Sequence, residues 1–285
     1  MLLGPDFDAL FMRAVRGLEP YLRDVLCVGG CANALYRRHH YANSVPWGYI
    51  GTKDMDIALP RKLPEAGRPS IGALMAAIHF EERTLGTAKE PVVKYVPVGE
   101  DMAADLEFLC DLSGLPGGRD TQRVSHAVQN GLQAQPLRYL NILFSHPWVI
   151  EMRLVPGLDD VKDLTVQVPN PAAYVFQKIL IRDQQRTVAS MEKDCFYIYE
   201  VSVLFRHALA AIQEEYRRLS PCSPNWKRRF EAEARKLFGS EDAEGPLSVV
   251  DIVHDSATAL NFGDSVPTTE GVFRSVNRLL DEMTG

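Results

Sequence analysis

Four carboxylates stand out by type and spacing. Asp54 and Asp56 flank Met55 in Asp54-Met55-Asp56-Ile57-Ala58-Leu59, and Asp105 and Glu107 flank Leu106 in Asp105-Leu106-Glu107-Phe108-Leu109. On a β-strand successive side chains point to opposite faces, so each pair shares one face while Met55, Ile57, Leu106 and Phe108 turn to a core. Convergent carboxylates bind hard divalent cations such as Mg²⁺. Two such ions about 3.5–4 Å apart stabilise the attacking and leaving oxygens of an in-line displacement at phosphorus. Gly29-Gly30 offers the complement, because a glycine pair between a strand and a helix lets backbone approach a phosphate closely. The N–H groups and dipole of the following helix favour an anion there. Each feature alone has an ordinary explanation: Asp-x-Asp on a half-buried strand is a common solvated face, and most Gly-Gly turns only turn. Their order points to phosphoryl chemistry: strand, Gly-Gly, helix, loop, Asp-x-Asp strand, and a further carboxylate strand. Read from the residues alone, the third metal ligand is Glu107 or Asp105.

The elements that must carry these residues follow from apolar periodicity. Leu10, Phe11, Val15, Leu18 and Leu22 fall at helical spacing over Asp6 to Leu22. Val25 to Val28 reads as a buried strand ending in Gly29-Gly30, and Cys31 to His40 as a helix. Asn43 to Gly51, with Pro46, Gly48 and Gly51, reads as a loop. Asp54 to Leu59 is a strand stopped by Pro60, Ile71 to Thr84 a helix, and Val92 to Val98 and Asp105 to Leu112 two more strands. Leu137 to Phe144 and Trp148 to Val155 look like a hairpin around His146-Pro147, and Leu164 to Val168 is a last short strand. Beyond Pro169 the pattern is helical: Pro171 to Gln185, Met191 to Leu219, Asn225 to Phe238, Pro246 to Leu260 and Gly271 to Met283. The fold class expected is α+β: a small mixed β-sheet domain over residues 1–165, then a mostly helical domain over residues 166–285.

Bulk properties bound the function. The chain has 285 residues, 46% of them hydrophobic, enough for a sizeable core. Its net charge of −6 argues against a protein that coats nucleic acid non-specifically, though one local basic patch remains compatible. Cys27, Cys31, Cys110, Cys195 and Cys222 are odd in number and several lie in apolar runs, which reads as reduced, packed cysteine. No stretch approaches the roughly 20 apolar residues of a membrane helix. The N-terminus lacks the basic and apolar regions of a signal peptide. The expected location is cytoplasmic, with no membrane association.

Val28-Gly29-Gly30 followed by Thr52-Lys53-Asp54-Met55-Asp56-Ile57 resembles the signature of the DNA polymerase β-like nucleotidyltransferase superfamily. The resemblance implies that Asp54 and Asp56 are the metal-binding pair, that Thr52 is the hydroxyl residue ahead of them, and that Glu107 is the third carboxylate. A second block, Val166-Gln167-Val168-Pro169-Asn170-Pro171 with Tyr174, Lys178 and Lys193-Asp194, resembles the start of the helical domain in bacterial relatives of type IV (AbiE-type) toxin nucleotidyltransferases. It implies that Lys178 contacts phosphate and that Asp194 lines the nucleotide pocket. The span from Gly30 to Asp54 is longer than in compact members of the superfamily, and Tyr41 to Gly51 would form a loop beside the active site.

The resulting expectation is a nucleotidyltransferase using Mg²⁺ or Mn²⁺ and a nucleoside triphosphate. Asp54, Asp56 and Glu107 hold the metals, Gly29 and Gly30 seat the triphosphate, and Lys178 neutralises phosphate. An RNA 3′ end such as that of tRNA is the favoured acceptor. A protein hydroxyl or a small molecule competes with it, an antitoxin is a further candidate partner, and a non-catalytic nucleotide-binding protein of the same fold is the alternative class. Arg37-Arg38-His39-His40, Tyr216-Arg217-Arg218 and Trp226-Lys227-Arg228-Arg229 are either phosphate or RNA contacts or solvated helix faces. The cluster Phe196, Tyr197, Tyr199 and Phe205 reads as core.

Overall fold

A computed structural model describes residues 4–49, 54–60, 63, 67–87, 90–99, 104–112, 126–129, 131–183, 188–260, 262 and 266–285. The chain divides into two compact units, Met1–Arg38 with Gly51–Pro169, and His39–Ile50 with Asn170–Gly285. Sheet and helices together make an α+β protein with a helical C-terminal part.

The first unit opens with helix α1 (Pro5–Gly17), whose Leu10, Phe11, Ala14 and Val15 are fully buried. Strand β1 (Leu26–Cys27) leads straight into helix α2 (Gly29–Tyr36), and β2 (Asp54–Ala58) pairs back on β1. After α3 (Ile71–Ala77) come β3 (Phe80–Thr87), β4 (Glu90–Pro97), β5 (Asp105–Asp111), β6 (His126–Gln129) and β7 (Leu132–Leu137). Among the described residues these form a mixed seven-stranded sheet in the order β1-β2-β5-β4-β3, with β7 joining β5 and carrying β6. The β2–β5 and β5–β7 pairs are parallel. A separate antiparallel pair is β8 (Trp148–Glu151) with β9 (Thr165–Val168). Met55, Ile57, Leu106 and Phe108 are almost wholly removed from solvent, as the alternation required. Burying such side chains stabilises the sheet by about 1.5–3 kcal/mol each as an upper estimate.

Three of the expected elements are built differently, and β6 and β7 have no counterpart in the sequence expectation. The helix expected to run to Thr84 ends at Ala77. His79 takes a left-handed backbone conformation (φ 59°), and Phe80-Glu81-Glu82-Arg83-Thr84 carries no apolar stripe to continue a helix. Those residues instead pair with β4 in a continuous antiparallel register from Phe80↔Pro97 to Thr87↔Glu90. The hairpin around His146-Pro147 does not form. Tyr139 and His146 both have positive φ (59° and 48°), Leu140–Phe144 is a single tight 3₁₀ turn, and β8 takes β9 as its partner.

The third difference lies in the second unit, which holds α4 (Pro171–Leu180), α5 (Val188–Leu204), α6 (Leu209–Arg217), α7 (Pro224–Phe238), α8 (Glu244–Leu260) and α9 (Thr269–Thr284). The single helix expected from Met191 to Leu219 is α5 and α6. In a continuous helix the Leu204 carbonyl would accept from the Ala208 N–H. Here it accepts from both the backbone N–H and the Nδ2 of Asn43, each at 2.7 Å, and Ala208 N–H turns to the Phe205 carbonyl at 2.8 Å. Residues 41–49 of the segment expected to be a loop beside the active site thus belong to the helical unit. Trp47 stacks on Phe262 (4.9 Å between ring centroids) and Tyr199 (6.2 Å), and His39 lies edge-on to Phe205. Side-chain caps at Asn170, Ser223 and Thr268 start α4, α7 and α9, each worth about 1 kcal/mol.

Candidate active site

The parallel register of β2 and β5 decides the geometry. Asp54 stands opposite Asp105 and Asp56 opposite Glu107, so two i, i+2 pairs meet side by side on the face away from the core. Oxygens of Asp54, Asp105 and Glu107 all lie within 4.8 Å of one another, the one such ligand group among the described residues. Opposed ligands of an ion held at 2.1 Å are about 4.2 Å apart. The donor set therefore fits a small hard cation with little adjustment. Both candidates for the third carboxylate, Glu107 and Asp105, belong to the group.

Asp56 sits beside that trio with its carboxylate against the Gly29 turn. A Cβ on Gly29 would lie 2.0 Å from Asp56 Oδ2, and Gly29 has φ +59°. Glycine is thus required twice over, by conformation and by space. The Val28 N–H donates to the Asp56 carbonyl at 2.9 Å, and Val28 is the residue from which α2 starts. This bond ties the Gly-Gly turn to the Asp-x-Asp strand. Tyr36, at the far end of α2, donates its buried hydroxyl to the Pro169 carbonyl at 2.7 Å and fixes that end too.

The residue that sequence reasoning missed is Lys94 on β4. Its ammonium donates to Asp54 Oδ1 at 3.1 Å and to both Asp105 oxygens at 2.9 Å, and it lies 2.9 Å from Glu107 Oε1. The available signal was a single cation in the apolar run Val92-Val93-Lys94-Tyr95-Val96, which wants an anion. Burial works against the Lys94 charge, but Glu107, Asp105 and Asp54 outweigh it and hold its pKa above the ordinary value. Burial pushes the Asp105 carboxyl up to about 6; the Lys94 hydrogen bond opposes this and the Asp54 charge adds to it. Glu107 is raised for the same reasons, burial first and Asp54 also contributing, against Lys94. Three carboxylates around one ammonium form a site still short of positive charge.

Of the other residues singled out, Thr52 lies outside the described residues. Lys178 and Asp194 are both buried within the helical unit and pair with each other; the Lys178 ammonium also sits over the rings of Tyr174 and Tyr197 at 4.8 and 4.9 Å. Lys227 packs its ammonium over Tyr216 at 4.9 Å. His39 is buried, and its ring lies tilted against that of His40, 4.2 Å between centroids. All five cysteines are free thiols. Among the described residues no helix is long and apolar enough to cross a membrane.

A nucleotidyltransferase family model matches residues 9–220. The chain belongs to this family. The match takes in the Gly29 turn, both carboxylate strands and Lys94, and it extends through α6. No curated protein and no solved structure matches the chain. The acidic face described above therefore belongs to a nucleotidyltransferase, a class of enzyme that transfers nucleotidyl groups.

Proposed function

We propose that this nucleotidyltransferase moves a nucleoside monophosphate from a nucleoside triphosphate to an acceptor, releasing pyrophosphate, and depends on Mg²⁺ or Mn²⁺. The observation that carries the reading is the in-register pairing of Asp54 with Asp105 and Asp56 with Glu107 on one sheet face. Asp54, Glu107 and Asp105 would hold the metal, with Asp56 beside them on the strand. When bound, the metal would neutralise charge on the attacking and leaving oxygens. The protein's own part is positioning. Gly29 and Gly30 at the start of α2 would seat the triphosphate, and Asp56 would be held in place by the Gly29 turn. A carboxylate of the face would accept the acceptor's proton. Lys178 and Asp194 would serve the nucleotide from the helical domain, where the pair fixes both side chains. The division into a catalytic and a helical domain belongs to the same proposal.

An RNA 3′ end is the acceptor we favour, in line with the resemblance to AbiE-type toxin relatives; under that reading an antitoxin would be a partner and the cytoplasm the location. A protein or a small molecule is the competing acceptor, and the same experiment separates them, a small molecule being left when neither RNA nor protein takes label. Wild-type protein and an Asp54→Ala/Asp56→Ala variant are incubated with each α-labelled nucleoside triphosphate, Mg²⁺ or Mn²⁺, and total cell RNA and protein. Label that enters RNA and vanishes in the variant supports the reading. Label in protein changes the acceptor. No label in RNA or protein with intact nucleotide binding would leave a small-molecule acceptor or a non-catalytic binder, and no binding would sink nucleotidyl transfer by this site.

A further inference from the structure

The sheet places a cation where nucleotidyl transfer calls for another one. Lys94 reaches from β4 across to β5, its neighbour at Tyr95↔Leu106, and its ammonium touches three of the four carboxylates of the face. Both oxygens of Asp105 are engaged by it. Its side chain is 16% exposed, whereas Asp54 at the open side of the cluster is 43% exposed.

We propose that Lys94 is the internal counter-cation of the carboxylate cluster: it fills the cation's place in the metal-free protein and must withdraw when a divalent ion binds. The inference rests on the metal-dependent reading above and adds a residue that sets the metal affinity. An ion at about 2.1 Å from any oxygen that lies 2.9 Å from Lys94 Nζ is no more than about 5 Å from the ammonium. Two cations at that separation repel, and both require the same oxygen lone pairs. The lysine head rides on a flexible four-carbon stem and can leave without moving the strand. The more exposed Asp54 side gives the ion its entry. With Lys94 in place the three carboxylates are held together rather than driven apart, so the cluster stays assembled before the ion arrives. The cost is competition: metal must displace a well-placed ammonium, and its affinity is lower than three convergent carboxylates would otherwise give.

The test is Mn²⁺ binding to the full chain without nucleotide, followed by electron paramagnetic resonance of free and bound ion. Wild type, Lys94→Gln and Lys94→Arg are compared, with folding checked by circular dichroism. Removal of the competing charge is expected to tighten Mn²⁺ binding by about tenfold or more in Lys94→Gln, whereas Lys94→Arg, which keeps the charge, stays within about threefold of wild type. Equal or weaker binding by folded Lys94→Gln overturns the inference. Should that variant fail to fold, ¹⁵N-lysine-labelled wild type decides: the Lys94 ammonium resonance is expected to shift or vanish as Mg²⁺ saturates the protein, and an unchanged resonance at saturation overturns the inference. Absence of Mn²⁺ binding in all three folded proteins is a different result and overturns the metal reading itself.

Discussion

Replacing Gly29 by alanine should strain the molecule in two separable ways. The first is backbone. Gly29 has φ +59°, a region that costs an alanine about 1–2 kcal/mol. The second is contact. The new Cβ would lie 2.0 Å from Asp56 Oδ2 and 3.1 Å from its Cγ, so the carboxylate or the turn must move. Forcing an extra methyl into a filled site costs about 1–3 kcal/mol. The sum is about 3 kcal/mol, which for a unit of this size lowers the melting temperature by roughly 6–12 °C. The two parts can be told apart by a double-mutant cycle with Asp56→Ala, read by denaturant or thermal unfolding. In the Asp56→Ala background the collision is gone and only the backbone strain, about 1–2 kcal/mol, should remain. Label transfer by Gly29→Ala should fall by about a hundredfold, because an ångström of displacement at a reacting centre costs that much. An identical stability cost in both backgrounds would refute the claim that Asp56 and Gly29 share one space.

Two further predictions concern the helical unit. Lys178→Met should destabilise by about 3–5 kcal/mol, because it strands the buried Asp194 carboxylate, and Lys178→Met/Asp194→Leu should recover most of that loss; unfolding titrations that show no recovery would mean the two are not one unit. His39 has its pKa lowered to about 4, by burial first and then by the neighbouring His40, so it stays neutral in the folded state while the unfolded chain takes up a proton below about 6.5. Stability from this site is therefore complete above about pH 6.5 and is lost as pH falls toward 4. The full shift corresponds to at most about 3 kcal/mol; thermal unfolding of wild type and His39→Phe between about pH 4 and pH 7 checks it, and the same pH slope in both proteins would count against it.

The carboxylate face was legible because period two leaves a strand no choice: once Met55, Ile57, Leu106 and Phe108 face the core, Asp54, Asp56, Asp105 and Glu107 must face away from it. The register that brings the two pairs together was not legible, since it depends on β5 lying next to β2 across intervening strands. The same fact hid Lys94. Its role follows from β4 lying next to β5 at Tyr95↔Leu106, and nothing local in Val92 to Val96 says which strand it will pair with. The end of α5 was hidden for a stronger reason of the same kind. The Leu204 carbonyl is taken by Asn43, 161 positions away in sequence, so no window over 191–219 carries the signal. His79 and Tyr139 show the local limit: both take positive φ without being glycine, so tertiary context rather than residue type ends those elements.

The carboxylate face also explains its own charge balance. Two strands in parallel register, each with acids two residues apart, stack like charges opposite one another, which is destabilising across a strand pair. A fold that did no more than persist would dilute such a face with neutral residues. Here it is kept, and two devices hold it: a glycine whose missing side chain leaves room for Asp56, and a lysine that satisfies Asp54, Asp105 and Glu107 together. Burial first, with the Asp54 charge added, pushes the Asp105 carboxyl up to about 6 against the Lys94 hydrogen bond. On the metal-dependent reading proposed above, the residual negative charge would favour a divalent cation over a second ammonium, since a double charge offsets more of the excess from one position. On that reading the repulsion between the strands and the affinity for metal would be one property seen from two sides, and a substitution that relieves the first, such as Asp105→Asn, should weaken Mn²⁺ binding.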